Sequence, residues 1–236
     1  MTYTLFGSLT AVLCQGWIEP LTGLEIQAHV QRADAVDTPA QGQLVGTAAI
    51  HARGAYRLVL ASTYYSGGLV DLSLVMAAPP REPFERGTPP LHVGLGTITP
   101  LWRMETGRAV ADWDCELAQQ QWRSMLRRFG VWTICGRLVS ATGATVTAYD
   151  ADWIQDDLLG ESATDAEGRF LITYVAADFR RTPLSPVITM GSGGPDVYFT
   201  AQHGGRSILH ESRAEGRRAE RRDIDDCYCV ELEADV

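Results

Sequence analysis

The chain has 236 residues, a formal net charge of −9 and 45% apolar residues, and all twenty of its basic side chains are arginine. The acidic balance disfavours nucleic acid and anionic membranes as main partners. No apolar run reaches the roughly 18 residues that a membrane-crossing helix needs, so no membrane insertion is expected.

In chain order, residues 3–14 alternate well enough for a first strand. Gly23 opens a second, Leu24 to Val30, and residues 31–43 read as a loop. Leu44-Val45-Gly46 is then followed, after seven residues, by Gly54-Ala55-Tyr56-Arg57-Leu58-Val59-Leu60 and later by a strand at Asp71 to Val75. Residues 77–90 hold five prolines and predict an extended loop, and Leu91 to Ile98 reads as the closing strand of a first domain, 1–101.

From 102 to 130 the apolar period changes. Val110, Trp113, Leu117, Trp122, Met125, Leu126 and Phe129 recur mostly at three- and four-residue steps. Asp112 and Asp114 lie near the start, Arg127, Arg128 and Gly130 at the end. That spacing predicts an amphipathic helix over 109–129 with charges matched to its dipole, linking two domains. Trp113, Leu117, Trp122 and Met125 would share its apolar face, which either packs across the domains or docks on a protein partner or a second copy.

The second domain, 131–236, repeats the first pattern. Val131 to Val139 is its opening strand, Gly143 to Tyr149 the next. Leu158-Leu159-Gly160 is followed after seven residues by Gly168-Arg169-Phe170-Leu171-Ile172-Thr173-Tyr174, with a further strand at Asp196 to Thr200. Repetition at matched spacing predicts two similar units, and short alternating strands between Gly/Pro/Asp turns predict antiparallel sandwiches. The five arginines between Arg213 and Arg222 read as a solvated loop or short helix.

Gly143-Ala144-x-Val146-x-Ala148-Tyr149-Asp150, Asp156-Asp157-Leu158-Leu159-Gly160, Thr164-Asp165-x-x-Gly168-x-Phe170 and Pro195-Asp196-Val197-Tyr198-Phe199 together resemble the transthyretin-like and carboxypeptidase-regulatory-like superfamily. The resemblance covers most of 131–236 and is weaker over 1–101. It implies an all-β chain of tandem Ig-like/transthyretin-like antiparallel sandwiches of seven to eight strands, joined by the amphipathic helix, and it implies a binding or structural module. The enzymatic branches are not matched. The hydroxyisourate hydrolases place histidines in the first strand, where this chain has Cys135, and end in Tyr-Arg-Gly-Ser. The intradiol dioxygenases need a His-x-His pair, whereas His29, His51, His92, His203 and His210 are scattered.

Asp150, Asp152, Asp156 and Asp157 fall in one inter-strand loop. Calcium takes six to eight oxygens, so a calcium site is one reading of this loop, and aspartates accepting local backbone hydrogen bonds are the other. The five cysteines, Cys14, Cys115, Cys135, Cys227 and Cys229, read as reduced thiols packed as small hydrophobes and lack the paired or Cys/His spacing of a zinc site; a bridge from Cys135 to the Cys227/Cys229 strand requires those strands to be neighbours and an oxidising compartment. Gly191-Ser192-Gly193-Gly194-Pro195 resembles a protease nucleophile loop without the segments that would complete one. No catalytic residue and no cofactor is assigned.

The expectation is a non-catalytic structural or adaptor protein acting through protein–protein contacts, a subunit of a larger assembly such as a phage-tail-like particle. The alternatives are a calcium-dependent binding module using the Asp150–Asp157 loop and a hydrolase of unknown type. The start, Met1 to Gly7, has neither a basic n-region nor a long apolar h-region, which predicts synthesis in the cytoplasm, with export as part of an assembly compatible with the sequence.

Overall fold

The structure, a computed structural model, describes residues 1–31, 42–77, 89–151, 156–179 and 193–235. The chain divides into two compact units, Met1–Trp122 and Arg123–Val236.

In the first unit the strands are β1 (Thr2–Val12), β2 (Ile18–Pro20), β3 (Glu25–Val30), β4 (Gln43–Ala49), β5 (Ala55–Leu60), β6 (Val70–Met76), β7 (Leu91–Ile98), β8 (Arg103–Glu105), β9 (Arg108–Asp112) and β10 (Cys115–Leu117). One sheet has the order β4-β3-β6-β7. The other is built on β1, which pairs antiparallel with β5 and β2 and parallel with β9 and β10, and β8 lies beyond β9. β5 shows why this happens: Tyr56, Leu58 and Leu60 alternate with exposed Ala55, Arg57 and Val59, the period-2 pattern of a half-buried strand. Leu5, Leu9 and Ala11 of β1 and Ile26, Ala28, Leu72 and Leu74 of the facing sheet are all at most 2% exposed, and burial of such side chains stabilises by about 1.5–3 kcal/mol each for the larger ones.

The second unit contains β11 (Val131–Val139), β12 (Thr145–Asp150), β13 (Asp157–Ala163), β14 (Arg169–Val175), β15 (Val197–His203), β16 (Arg206–His210) and β17 (Cys227–Glu233), with short helices α2 (Ala176–Phe179) and α3 (Arg213–Gly216). Its sheets run β14-β11-β17 and β13-β12-β15-β16. Ile134, Leu138, Phe170, Ile172 and Val230 from one sheet meet Val146, Leu159, Val197, Phe199 and Leu209 from the other in one core.

The two units share their strand order around β1 and β11. β3 pairs with β4, and β12 with β13, through a bulge at the same place: Ala28 stands opposite Gly46 and His29 opposite Leu44, while Ala148 stands opposite Gly160 and Tyr149 opposite Leu158. The extra residues, Val45 and Leu159, are both buried.

The helical expectation for 102–130 is corrected. The helix, α1, runs only Gln119–Arg128, and residues 103–117 form β8, β9 and β10 of the first unit instead of a linker. Leu91 to Ile98 is therefore not the last strand of that unit. Thr106 and Gly107, at φ 31° and 82°, form a two-residue turn of the kind that closes hairpins, and Ala109, Val110 and Ala111 are buried in parallel register with β1. The three- and four-residue apolar spacing arises because Val110, Trp113 and Leu117 lie on two short strands and their connection. Backbone pairing to β1 overrides local periodicity there. Arg123 and Arg127, one turn apart on α1, both reach the Asp226 carboxylate, at 2.5 and 3.0 Å, and Asp226 lies next to β17.

Candidate functional site

Asp150 ends β12 and is 7% exposed; its carboxylate accepts the Asp196 backbone N–H at 2.7 Å, and Ala151 N–H donates to the Asp196 carbonyl at the same length. Asp196 in turn accepts the Asp223 N–H at 3.0 Å. Asp156 accepts the Tyr198 hydroxyl at 2.8 Å and lies 2.8 Å from Arg213 Nε. Tyr198 stacks on Tyr149 with centroids 5.2 Å apart, and burial, then its bond to Asp156, raises its phenol well above the ordinary range. Asp157 pairs in register with Asp150. Asp152 lies outside the described residues. Among the described residues, Asp150, Asp156 and Asp157 do not bring three ligand oxygens within 4.8 Å of one another. Asp150 ties the β12 end to the Asp196 segment, and Asp156 ties the start of β13 to Tyr198 and Arg213.

A second anchor holds the stretch before β17. Glu211 accepts the Phe199 N–H at 2.8 Å and pairs with Arg221 at 3.0 Å, both side chains being largely buried, and the Arg221 guanidinium lies 5.0 Å from the centre of the Phe199 ring. Burial pushes the Glu211 carboxyl above its ordinary 4.5, against the pull of Arg221 and the Phe199 N–H. The folded chain therefore holds this proton to higher pH than the unfolded chain, and the site's contribution falls as pH rises through 4.5 towards the raised value. Thermal melts from pH 4 to 7 should show Glu211→Gln losing that part of the pH dependence; an unchanged profile would contradict the assignment.

The four residues expected to share a helix face do not share one. Trp113 lies between β9 and β10, where its N–H donates to the Phe6 carbonyl at 2.8 Å and its own carbonyl accepts the Tyr56 hydroxyl at 2.6 Å. Leu117 is on β10 at 1% exposure; only Trp122 and Met125 are on α1, Met125 at 2%.

The structure assembles instead an aromatic group in the first unit. Tyr3, Tyr65 and Trp102 meet edge to face with centroids 5.0, 5.1 and 5.9 Å apart, and Trp102 Nε1 donates to the Gly67 carbonyl at 3.1 Å. Tyr65 donates to the Gly68 carbonyl at 2.6 Å, and burial, more than the opposing bond from Trp102 decides, raises its phenol above the ordinary range. Within four residues of Tyr65 or Trp102 in the chain stand four exposed large apolar side chains, Tyr64 (56%), Leu69 (63%), Leu101 (85%) and Met104 (63%). The sequence signal was Tyr64-Tyr65 and Leu101-Trp102, two aromatic-apolar pairs in loop contexts, overlooked because no period marks a loop.

Two other groups bear on chemistry. His29, Asp71 and Thr97 form one cross-strand row on β3, β6 and β7, with the Thr97 hydroxyl donating to Asp71. The carboxylate stands between hydroxyl and imidazole, which is not the order that activates a nucleophile. β11 and β17 are parallel neighbours with Cys135 opposite Cys229, but Cys135 and Cys227 form no disulfide while Cys229 does, so the expected bridge from Cys135 is corrected: strand adjacency alone does not join these thiols. Gly191 and Ser192 lie outside the described residues.

No family model matches the chain, and no curated protein matches it. Solved structures that resemble it include the major plantain pollen allergen Pla l 1 (11% identity, 51% of this chain and 96% of that one, TM-score 0.29). The Bacillus anthracis TIE protein aligns at 9% identity over 99% of this chain and 34% of its own, TM-score 0.31. The SpaE basal pilin of Lactobacillus rhamnosus GG aligns at 11% over 99% of both chains, TM-score 0.24. At such values the likenesses carry no inference about function. The fold defines an all-β protein of sandwich-like units.

Proposed function

We propose that this chain is a non-catalytic structural or adaptor protein that works through protein–protein contacts, as a subunit of a larger assembly such as a phage-tail-like particle. Seven strands per sandwich in the second unit, and the matching order in the first, support reading both as transthyretin-like modules. The observation that carries the proposal is the distribution of exposed apolar side chains. Of the nine large ones exposed among the described residues, all but Leu158 lie in the first unit, and four of them stand within four residues of Tyr65 or Trp102 in the chain. A rigid aromatic base rimmed by exposed apolar groups is what a protein-binding surface requires. Tyr64→Asp, Leu69→Asp and Leu101→Asp should fold as the parent does, because the side chains are exposed, and should lose the partners that co-purify from the native source. Retention of every partner by all three variants would overturn the proposal.

A further inference from the structure

The sheet built on β1 ends at β8, which among the described residues pairs only with β9. Arg103, Met104 and Glu105 are all exposed. The turn at Thr106-Gly107 fixes which way the β8 backbone faces. A two-residue turn is closed by a hydrogen-bonded pair, so Glu105 and Arg108 face each other through their backbone groups, as do Arg103 and Val110 one alternation further on. Met104, in the intervening pair with Ala109, then turns its N–H and C=O away from β9 towards the open edge. An edge with free backbone groups and an exposed apolar side chain at its centre is a template for another strand.

We propose that the occupant of this edge is β8 of a second copy, paired antiparallel about a twofold axis at Met104, so that the sheet continues across a dimer. The sequence Arg103-Met104-Glu105 is self-complementary only in this arrangement. Met104 meets Met104 of the second copy, and Arg103 and Glu105 stand opposite Glu105 and Arg103 of the second copy; parallel pairing in register would set like charges together. Within the chain Arg103 already pairs with Asp112 at 2.6 Å and Glu105 with Arg108 at 3.2 Å. The dimer therefore creates two rows that alternate in sign, Asp112, Arg103, then Glu105 and Arg108 of the second copy, and the symmetric row. Exposed ion pairs taken singly contribute little, whereas directly opposed charges across strands set register and partner orientation. Symmetry makes the contact isologous and closed, so it gives dimers and not filaments. This inference rests on the protein-contact reading only in treating that end of the first unit as an interaction surface.

Sedimentation equilibrium of the full chain over a wide concentration range tests it. The parent should show a monomer–dimer equilibrium. Arg103→Glu and Glu105→Arg each place like charges opposite one another at two positions and should weaken dimerisation roughly tenfold. An equimolar mixture of these two variants should restore it, because in the mixed dimer every residue 103 faces an opposite charge at 105. Met104→Pro should also give monomers, since it removes only the N–H that faces the open edge, and melting temperatures report that each variant is folded. A monomeric parent at every concentration, a Met104→Pro protein that dimerises like the parent, or a mixture as weak as its components would each overturn the pairing. A monomeric parent whose Leu101→Asp variant still loses its native partners overturns the dimer and leaves the contact reading standing.

Discussion

Gly54→Ala and Gly168→Ala are each expected to destabilise the protein by on the order of 3 kcal/mol. Both glycines sit at φ above +70° at the entry to a strand, β5 or β14, that pairs with the first strand of its unit. A left-handed backbone costs a side-chain-bearing residue about 1–2 kcal/mol. The larger part is steric, because a Cβ on Gly54 would stand 2.2 Å from the Leu9 carbonyl oxygen and one on Gly168 would stand 2.5 Å from that of Leu138. Leu9 and Leu138 are mid-sheet residues of β1 and β11, so neither carbonyl can retreat without breaking strand pairing. Gly143→Ala separates the two causes: its φ is +66° but nothing lies within 4 Å of its Cβ position, so it should lose only about 1 kcal/mol. Urea denaturation of the three variants measures the order. Equal losses at Gly143 and Gly168 would show that the carbonyl contact has no effect.

Phe170→Ala is expected to lose about 3–5 kcal/mol. The ring is 1% exposed and meets Phe199 edge to face at 6.2 Å, one ring from each sheet of the second unit, so it bridges the two layers. It also lies on the backbone of Gly136, where a Cβ would come within 2.3 Å of its Cζ. Gly136 has no side chain that could fill the cavity from that side, and cavity formation adds to the lost transfer free energy. Tyr174→Phe gives the contrast. Among the described residues its buried hydroxyl has no hydrogen-bond partner, and burial raises the phenol far above its ordinary range. Removing an unsatisfied buried hydroxyl while keeping the ring should leave stability unchanged or slightly higher, to be read by the same denaturation.

Sequence reasoning reached the strands wherever one face is buried and one is wet, as in β5, β12 and β14, because alternation directly records that asymmetry. It reached Gly46 and Gly160 as matched positions because a bulge leaves a fixed spacing between strands. It failed at 103–117. There the strands are three to five residues long; β9 and β10 pair with β1, a partner about a hundred residues away that no local window contains, and β8 only extends β9. The candidate surface was hidden for a related reason. Tyr3, Tyr65 and Trp102 come from a strand and two separate loops, so their convergence is a property of topology, whereas the Asp150–Asp157 cluster was conspicuous because its members are adjacent in the chain. Adjacency announced the aspartates, but Asp150 and Asp156 serve to hold the Asp196 and Arg213 segments in place.

Hydrogen exchange of the chain alone and within its native complex, followed by mass spectrometry, tests the protein-contact account most directly. The segments 61–69 and 100–105 carry the exposed apolar rim of the aromatic triad, and their backbone groups should exchange markedly more slowly in the complex than in the free chain. Unchanged exchange there, with protection confined to the segment around Asp150 and Asp157, would contradict it and move the working surface to the second unit.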